Sequence, residues 1–260
     1  MSEQERNFHN VIEFRSPDQP WPDNPDIPDF TPDDPFELYG EIDEDGWVGD
    51  NDFDPPSAED IDEQDGLMLR RQRLFRWAAQ AIAVAFSEMP DVEKVAAFGG
   101  VAQPLTKEVP RFRQFRRRGI PILHECADLD LAVWLSGLDR LKELKRTMAR
   151  GLSIVQNTPY GGVAHHQVDV HIFDAESGEY RGRLCIFGQC PKPGKRECLV
   201  PDCGKSLFLQ QFATYHYNCA QFEGEPKVIL FDRSKRFLVR LPRIESRRTQ
   251  ARRADRDAPF

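Results

Sequence analysis

Apolar and polar residues follow two rhythms along this chain. Leu67, Leu74, Trp77, Ala78, Ala81, Ile82 and Phe86 recur at helical spacing until Pro90, which predicts a helix. Val92 to Phe98 then reads as a short buried strand closed by Gly99-Gly100. Gln103 to Gly119 is basic and aromatic, and predicts a loop with a short helix. Asp128 to Leu135 (DLDLAVWL) has the look of a central strand. Leu138 to Leu152 places Leu141, Leu144, Met148 and Leu152 on one stripe of an amphipathic helix. His166 to Phe173 (HQVDVHIF) is a further strand, and Asp174 to Gly182 a turn. Ser206 to Tyr217 predicts a helix and Lys227 to Phe231 a last strand. Helices and strands in alternation predict a mixed α/β (α+β) domain. No internal repeat interrupts the pattern.

Charge divides the chain. Of 260 residues, 35 are Lys or Arg and 43 Asp or Glu, a net of −8. Residues 1–65 hold 22 of the acids and only Arg6 and Arg15 as bases, a net of −20, so the remainder carries +12. The same stretch holds nine of the 20 prolines. A segment so poor in apolar residues and so rich in like charge cannot bury enough surface to offset chain entropy. It is expected to be a disordered tail. Its aromatic residues, Trp21 and Trp47 among them, are candidate anchors for a partner or for the chain's own basic domain. The plain alternative is a solubilising tail.

The expected organisation is a tail over 1–65, a core over 66–182, a cysteine-rich segment with a helix and strand over 183–232, and an arginine-rich end over 233–260 that frays. Mean hydropathy is −0.59. No run approaches the ~18 apolar residues of a membrane span. The start, MSEQERNFHN, has no basic region followed by an apolar one. A cytoplasmic protein without a membrane partner is therefore expected.

Candidate chemistry begins with carboxylates. Asp128 and Asp130 stand two apart in an apolar strand, so both face the same side while Leu129 and Leu131 face the other. Two such carboxylates repel unless a cation sits between them. A hard divalent ion, Mg²⁺ or Mn²⁺, suits oxygen ligands and substrate phosphates. Asp169, between Val168 and Val170, would bring a third acid if its strand pairs beside the first. A strand end meeting solvent is the plain reading of Asp-x-Asp, but the apolar flanks on both sides argue against it. The Gly99-Gly100 turn offers close backbone approach to a phosphate.

In order, the chain reads AFGG (Phe98, Gly99, Gly100), DLDL (Asp128 to Leu131) and VDVHI (Asp169 between Val168 and Val170). This resembles the DNA polymerase beta-like nucleotidyltransferase superfamily, over about Leu67 to Asp174. The resemblance implies a small mixed sheet with helices on one side. It also implies transfer of a nucleoside monophosphate from a nucleoside triphosphate to a hydroxyl of RNA, protein or a small molecule. Asp128 and Asp130 would hold metal, Asp169 would complete the site as ligand or base, and Gly99 and Gly100 would meet the nucleotide. Two departures stand out: Gly100 replaces the more familiar Ser, and the interval from Gly100 to Asp128 is long, implying an insertion around Arg111 to Arg118.

His165, His166 and His171 lie near Asp169. His171 shares its face at i+2, within reach of a phosphate or acceptor, but a hydrogen-bonded strand histidine is the expected reading. Cys185, Cys190, Cys198 and Cys203 follow a C-x4-C-x7-C-x4-C pattern with Pro and Gly turns between them. Without a secretory leader a disulfide framework is disfavoured, and four thiolates suit tetrahedral Zn²⁺ in a knuckle-like segment. Four reduced cysteines in a loop are the alternative. Cys126 and Cys219 read as small core residues. Two functions follow: a metal-dependent nucleotidyltransferase, or a non-catalytic nucleic-acid-binding protein on a degenerate transferase scaffold. Basic charge fits both.

Overall fold

The computed structural model describes residues 55–156 and 162–211, the pair Val11–Ile12, and 226–239 together with Phe222 and Gly224. Strand β1 is Val11–Ile12. The long helix α1 spans Ala58–Ser87. Its start is set by a capping box: the Ser57 hydroxyl accepts from the Asp60 amide at 3.1 Å, and the Asp60 carboxylate accepts from the Ser57 amide at 2.7 Å. These bonds hold the Asp60 carboxyl below its ordinary range. Phe75, Ala78, Ile82 and Phe86 form its buried stripe.

Strand β2, Val92–Phe98, leads into a 3₁₀ turn at Gly99–Val101. The basic segment that follows forms a small hairpin, β3 (Lys107–Glu108) with β4 (Ile122–Leu123), enclosing the short helix α2 (Arg113–Arg116). Strand β5 is Leu129–Leu135, helix α3 Leu141–Gln156, and strand β6 Val168–Asp174. Then come β7 (Tyr180–Leu184), β8 (Leu209–Gln210), β9 (Lys227–Asp232) and β10 (Phe237–Leu238).

Eight strands make one sheet in the order β1-β9-β2-β5-β6-β7-β8, with β10 also on β9. Most neighbours run antiparallel. The central pair β5–β6 is parallel, joined by α3 as parallel neighbours require. The sheet's two faces differ. Val95, Leu131, Val133, Val170 and Ile172 point towards α1 and α3 and build the main core with them. Gly151 lets the two helices close: a Cβ there would meet Ile82 Cα at 2.8 Å. The opposite face carries Phe98, Ala132, Phe173 and Phe222, with Trp134 and Tyr180 packed alongside. It is also the face on which Asp130, Asp169 and His171 stand, by the period-two rule.

The mixed α/β class agrees with expectation, and strands stand at 92–98, 129–135, 168–174 and 227–232, within two residues of those expected. Asp128, expected inside its strand, lies just before it, and His166 and Gln167 belong to a 3₁₀ turn. Other boundaries depart further. Helix α1 begins at Ala58, inside the stretch read as tail, because acids in the first turn complement the helix dipole and complete the cap. Val11–Ile12 pairs in parallel with β9. The stretch Asp174 to Gly182 contains a tight turn, but its second half already belongs to β7. Leu209–Gln210 is a strand on β7, where a helix over Ser206 to Tyr217 was expected. Phe237–Leu238 pairs with β9 in the end expected to fray. Arg233 ties that end down, its Nε donating to the Val92 carbonyl at 2.9 Å. The remainder of the tail, residues 212–217 of the expected helix, Cys219 and the arginine-rich stretch beyond Val239 lie outside the described residues.

Candidate metal centre

Register across the sheet assembles the site. Phe98 of β2 stands opposite Asp130 of β5, and Asp130 opposite Asp169 of β6. His171 follows two residues on, opposite Ala132, and faces Arg183 of β7 on its other side. One donor atom each from Asp130, Asp169 and His171 gathers within 4.8 Å. Among the described residues this is the one group of three or more His, Cys, Asp or Glu side chains drawn so close. Asp130 and Asp169 are half-buried, whereas His171 is only 6% exposed.

The imidazole is held on three sides. Its Nε2 lies 3.6 Å from Asp130 Oδ1. Its Nδ1 lies 3.4 Å from the Tyr180 hydroxyl. The ring edge meets the Phe98 ring at a centroid distance of 5.4 Å. Asp169 is paired with the Arg183 guanidinium through its Oδ2. Asp128 sits just before β5, facing solvent at the rim and outside the group of three. Its carboxyl is pushed above its ordinary range, first by desolvation and then by the charges of Asp169 and Asp130; Arg71 and Arg183 pull the other way. The three predicted acids therefore share one electrostatic neighbourhood, and two of them share the tight cluster.

The glycine turn lies against this cluster. Gly99 has φ +68°, and a Cβ there would stand 3.1 Å from Asp130 Oδ2. Only glycine combines that backbone with that approach. Helix α1 braces the turn from behind. Gln72 Nε2 donates to the carbonyls of Gly100 and Gln103, both at 2.7 Å, and Arg76 Nε donates to Val101 at 2.9 Å. Both side chains are buried. Cys126 packs on the other side, its Sγ 3.2 Å from where a Gly100 Cβ would be. Burial raises its thiol to about 11, as suits a core cysteine.

The basic insertion flanks the turn. Phe115 anchors it at 1% exposure, while Arg111 and Arg116 to Arg118 face solvent. Lys107 pairs with Asp65 of α1 at 2.9 Å. His171 is the buried, hydrogen-bonded strand histidine expected, and it also stands in the cluster with Asp130 and Asp169; Arg183 was not anticipated. The i+2 spacing from Asp169 was a usable signal for the histidine. Arg183 had none, since its strand was not expected.

Of the four clustered cysteines, Cys185 is buried and the other three are half-buried. Their sulfurs do not gather into a group as tight as the Asp-Asp-His one. They are nonetheless neighbours. Burial raises the Cys185 thiol, and the negative charges of Cys190 and Cys198 raise it further. Cys190 Sγ accepts from the Phe208 amide at 3.1 Å and Cys198 Sγ from the Lys192 amide at 3.3 Å. The Lys145 ammonium donates to the carbonyls of Ile186 and Phe187, anchoring the segment to α3.

Comparison of the chain with family models, with curated proteins and with solved structures finds no match in any of the three. Among the described residues no helix is long and apolar enough to cross a membrane.

Proposed function

We propose that this chain is a metal-dependent nucleotidyltransferase with the architecture of the DNA polymerase beta-like superfamily. The observation that carries the reading is the pairing of Asp130 with Asp169 on adjacent parallel strands, with the Gly99 turn closed against Asp130. Facing carboxylates at a half-buried site are costly without a cation. A divalent ion held by Asp130 and Asp169, with Asp128 near by, would neutralise triphosphate oxygens and the charge that develops on them. The absence of side chains at Gly99 and Gly100 themselves lets the backbone of the turn come close to Asp130 and to whatever that carboxylate holds. The acceptor hydroxyl oxygen attacks the α-phosphorus, the bond from that phosphorus to the α,β-bridging oxygen breaks, and pyrophosphate leaves. The hydroxyl proton passes to a carboxylate. Asp128 at the rim suits that step by position, whereas one oxygen of Asp169 is engaged by Arg183.

Incubation of the full chain with labelled nucleoside triphosphates, Mg²⁺ or Mn²⁺ and cell extract tests this. Label is expected on RNA, on a protein or on a small molecule, and is expected to vanish with Asp130→Asn. Absence of any metal-dependent transfer or nucleotide binding would overturn the reading. The solvent-facing arginines of the insertion favour a second reading, a non-catalytic nucleic-acid-binding protein. In that case Asp130→Asn should leave nucleic-acid affinity unchanged and no label should move.

A further inference from the structure

We propose that His171 is a ligand of the metal centre, and that the centre is consequently built for Mn²⁺ or a similar first-row ion in preference to Mg²⁺. The inference rests on the metal-centre part of the reading above and specifies which ion that site takes.

The argument starts from donor chemistry. Mg²⁺ demands near-octahedral oxygen coordination and keeps several waters. Imidazole nitrogen suits the later first-row ions, while carboxylates accept Mg²⁺ and Mn²⁺ alike. A site of carboxylates alone would discriminate little between those two. The tight cluster here replaces the third carboxylate with a histidine: Asp130, Asp169 and His171 converge within 4.8 Å, while Asp128 stays at the rim.

The histidine is oriented for ligation. Its ring is 6% exposed and fixed edgewise on Phe98. Nδ1 has the Tyr180 hydroxyl at 3.4 Å, and Nε2 points at Asp130. A ligating histidine needs one nitrogen free for the ion and the other turned to a polar partner that sets the tautomer. In the tautomer that carries its proton on Nδ1, turned to Tyr180, the Nε2 lone pair faces the carboxylate that would share the ion. Arg183 holds Asp169 through Oδ2, leaving Oδ1 as the oxygen for the metal. A donor set of two carboxylate oxygens and one nitrogen, with the rest open to water or phosphate, follows.

The test uses the full-length protein after chelation, with MnCl₂ and MgCl₂ alone as probes. Calorimetry is expected to show Mn²⁺ bound at least about tenfold more tightly than Mg²⁺. Pulsed electron paramagnetic resonance of the Mn²⁺ form is expected to show coupling to one imidazole nitrogen. His171→Gln should remove that coupling and weaken Mn²⁺ by at least about tenfold, the scale on which even supporting residues of metal sites act. Mg²⁺ affinity should stay within about threefold, because the glutamine oxygen remains acceptable to it. If that variant does not fold, the nitrogen coupling in the unaltered protein decides the matter. Equal affinities for the two ions, no Mn²⁺ binding, or bound Mn²⁺ with no nitrogen coupling overturns the proposal. Nitrogen-coupled Mn²⁺ in a protein that transfers no nucleotide would uphold the centre and defeat the transferase reading instead.

Discussion

Asp169 and Arg183 form an ion pair across the antiparallel strands β6 and β7, directly beside the point where Asp169 faces Asp130. The two facing carboxylates are thus not equivalent. One has a protein cation and the other meets an imidazole at 3.6 Å. Arg183 carries part of the electrostatic load that a metal would otherwise bear alone.

Arg183→Gln is therefore expected to destabilise the metal-free protein by about 1.5–3 kcal/mol, the range for hydrogen bonds to charged groups. The stabilisation gained on adding Mn²⁺ should be larger in the variant than in the parent, since two uncompensated carboxylates gain more from a cation. Thermal melts with and without metal measure both effects. An unchanged metal-free melting temperature would mean that the pair contributes nothing.

Asp128 makes a pH-dependent prediction. Its carboxyl titrates above the ordinary range, so the folded protein holds that proton more firmly than the unfolded chain. Ionising it opposes folding. The penalty is absent below the unfolded value of about 4 and grows as pH rises through the folded value. In metal-free protein, Asp128→Asn should melt higher than the parent at pH 7. The difference should close as pH falls below the ordinary carboxylate range. A constant offset across pH 3–8 would assign the effect to something other than this charge.

Gly99 tests the turn. At φ +68° an added Cβ carries a backbone cost of about 1–2 kcal/mol, and it would also press on Asp130 Oδ2 at 3.1 Å. Gly99→Ala should lower the melting temperature modestly yet weaken metal binding and nucleotide transfer more than that loss explains, because the carboxylate must move. Parallel measurement of melting temperature and Mn²⁺ affinity separates the two. A variant that loses stability but binds Mn²⁺ normally would show that the turn does not position Asp130.

These relationships were unevenly legible in the amino-acid order. The apolar flanks of Asp128, Asp130 and Asp169 announced strands, and period two put the acids on one face. What made them a cluster was the parallel register Asp130 to Asp169, which alternation cannot supply. Helix α1 was found from its apolar half. Its first turns were hidden because Glu59, Asp60, Asp62 and Glu63 look like more acidic tail until the Ser57 cap is seen. The strand at Leu209–Gln210 is short and exists through its pairing with β7, a tertiary choice that local spacing does not encode. Arg183 escaped notice for the same reason.

The cysteine segment leads to elemental analysis. Cys190 and Cys198 lie close enough to raise the Cys185 thiol, and both accept backbone amides, as metal-bound thiolates do. Residues 186–207 contain only one short 3₁₀ turn, and most of their side chains face solvent. Such a short segment needs a staple. Native-purified protein is expected to carry one zinc per chain on Cys185, Cys190, Cys198 and Cys203. Chelation should expose these thiols to alkylation before the sheet melts, since binding energy here is folding energy. Protein free of zinc, with all four thiols reactive from the outset, would leave reduced cysteines in a loop.

The acidic stretch before α1 can be tested while sparing the described elements on either side of it. Val11–Ile12 pairs with β9 and Ser57 caps α1, so neutralising substitutions belong between residues 13 and 54. That stretch is strongly negative, and the chain beyond residue 65 carries a net +12. Tethering places anionic charge at high local concentration beside a basic surface and makes it a competitor for nucleic acid. The competition should be strongest at low salt, where screening is weak. Replacing the acids of 13–54 by Asn and Gln is expected to tighten nucleic-acid binding at ~50 mM salt and to steepen its salt dependence, because phosphate contacts then release counterions without an internal rival. At several hundred millimolar salt the two proteins should converge. Identical affinities at low salt would assign the stretch to solubility alone.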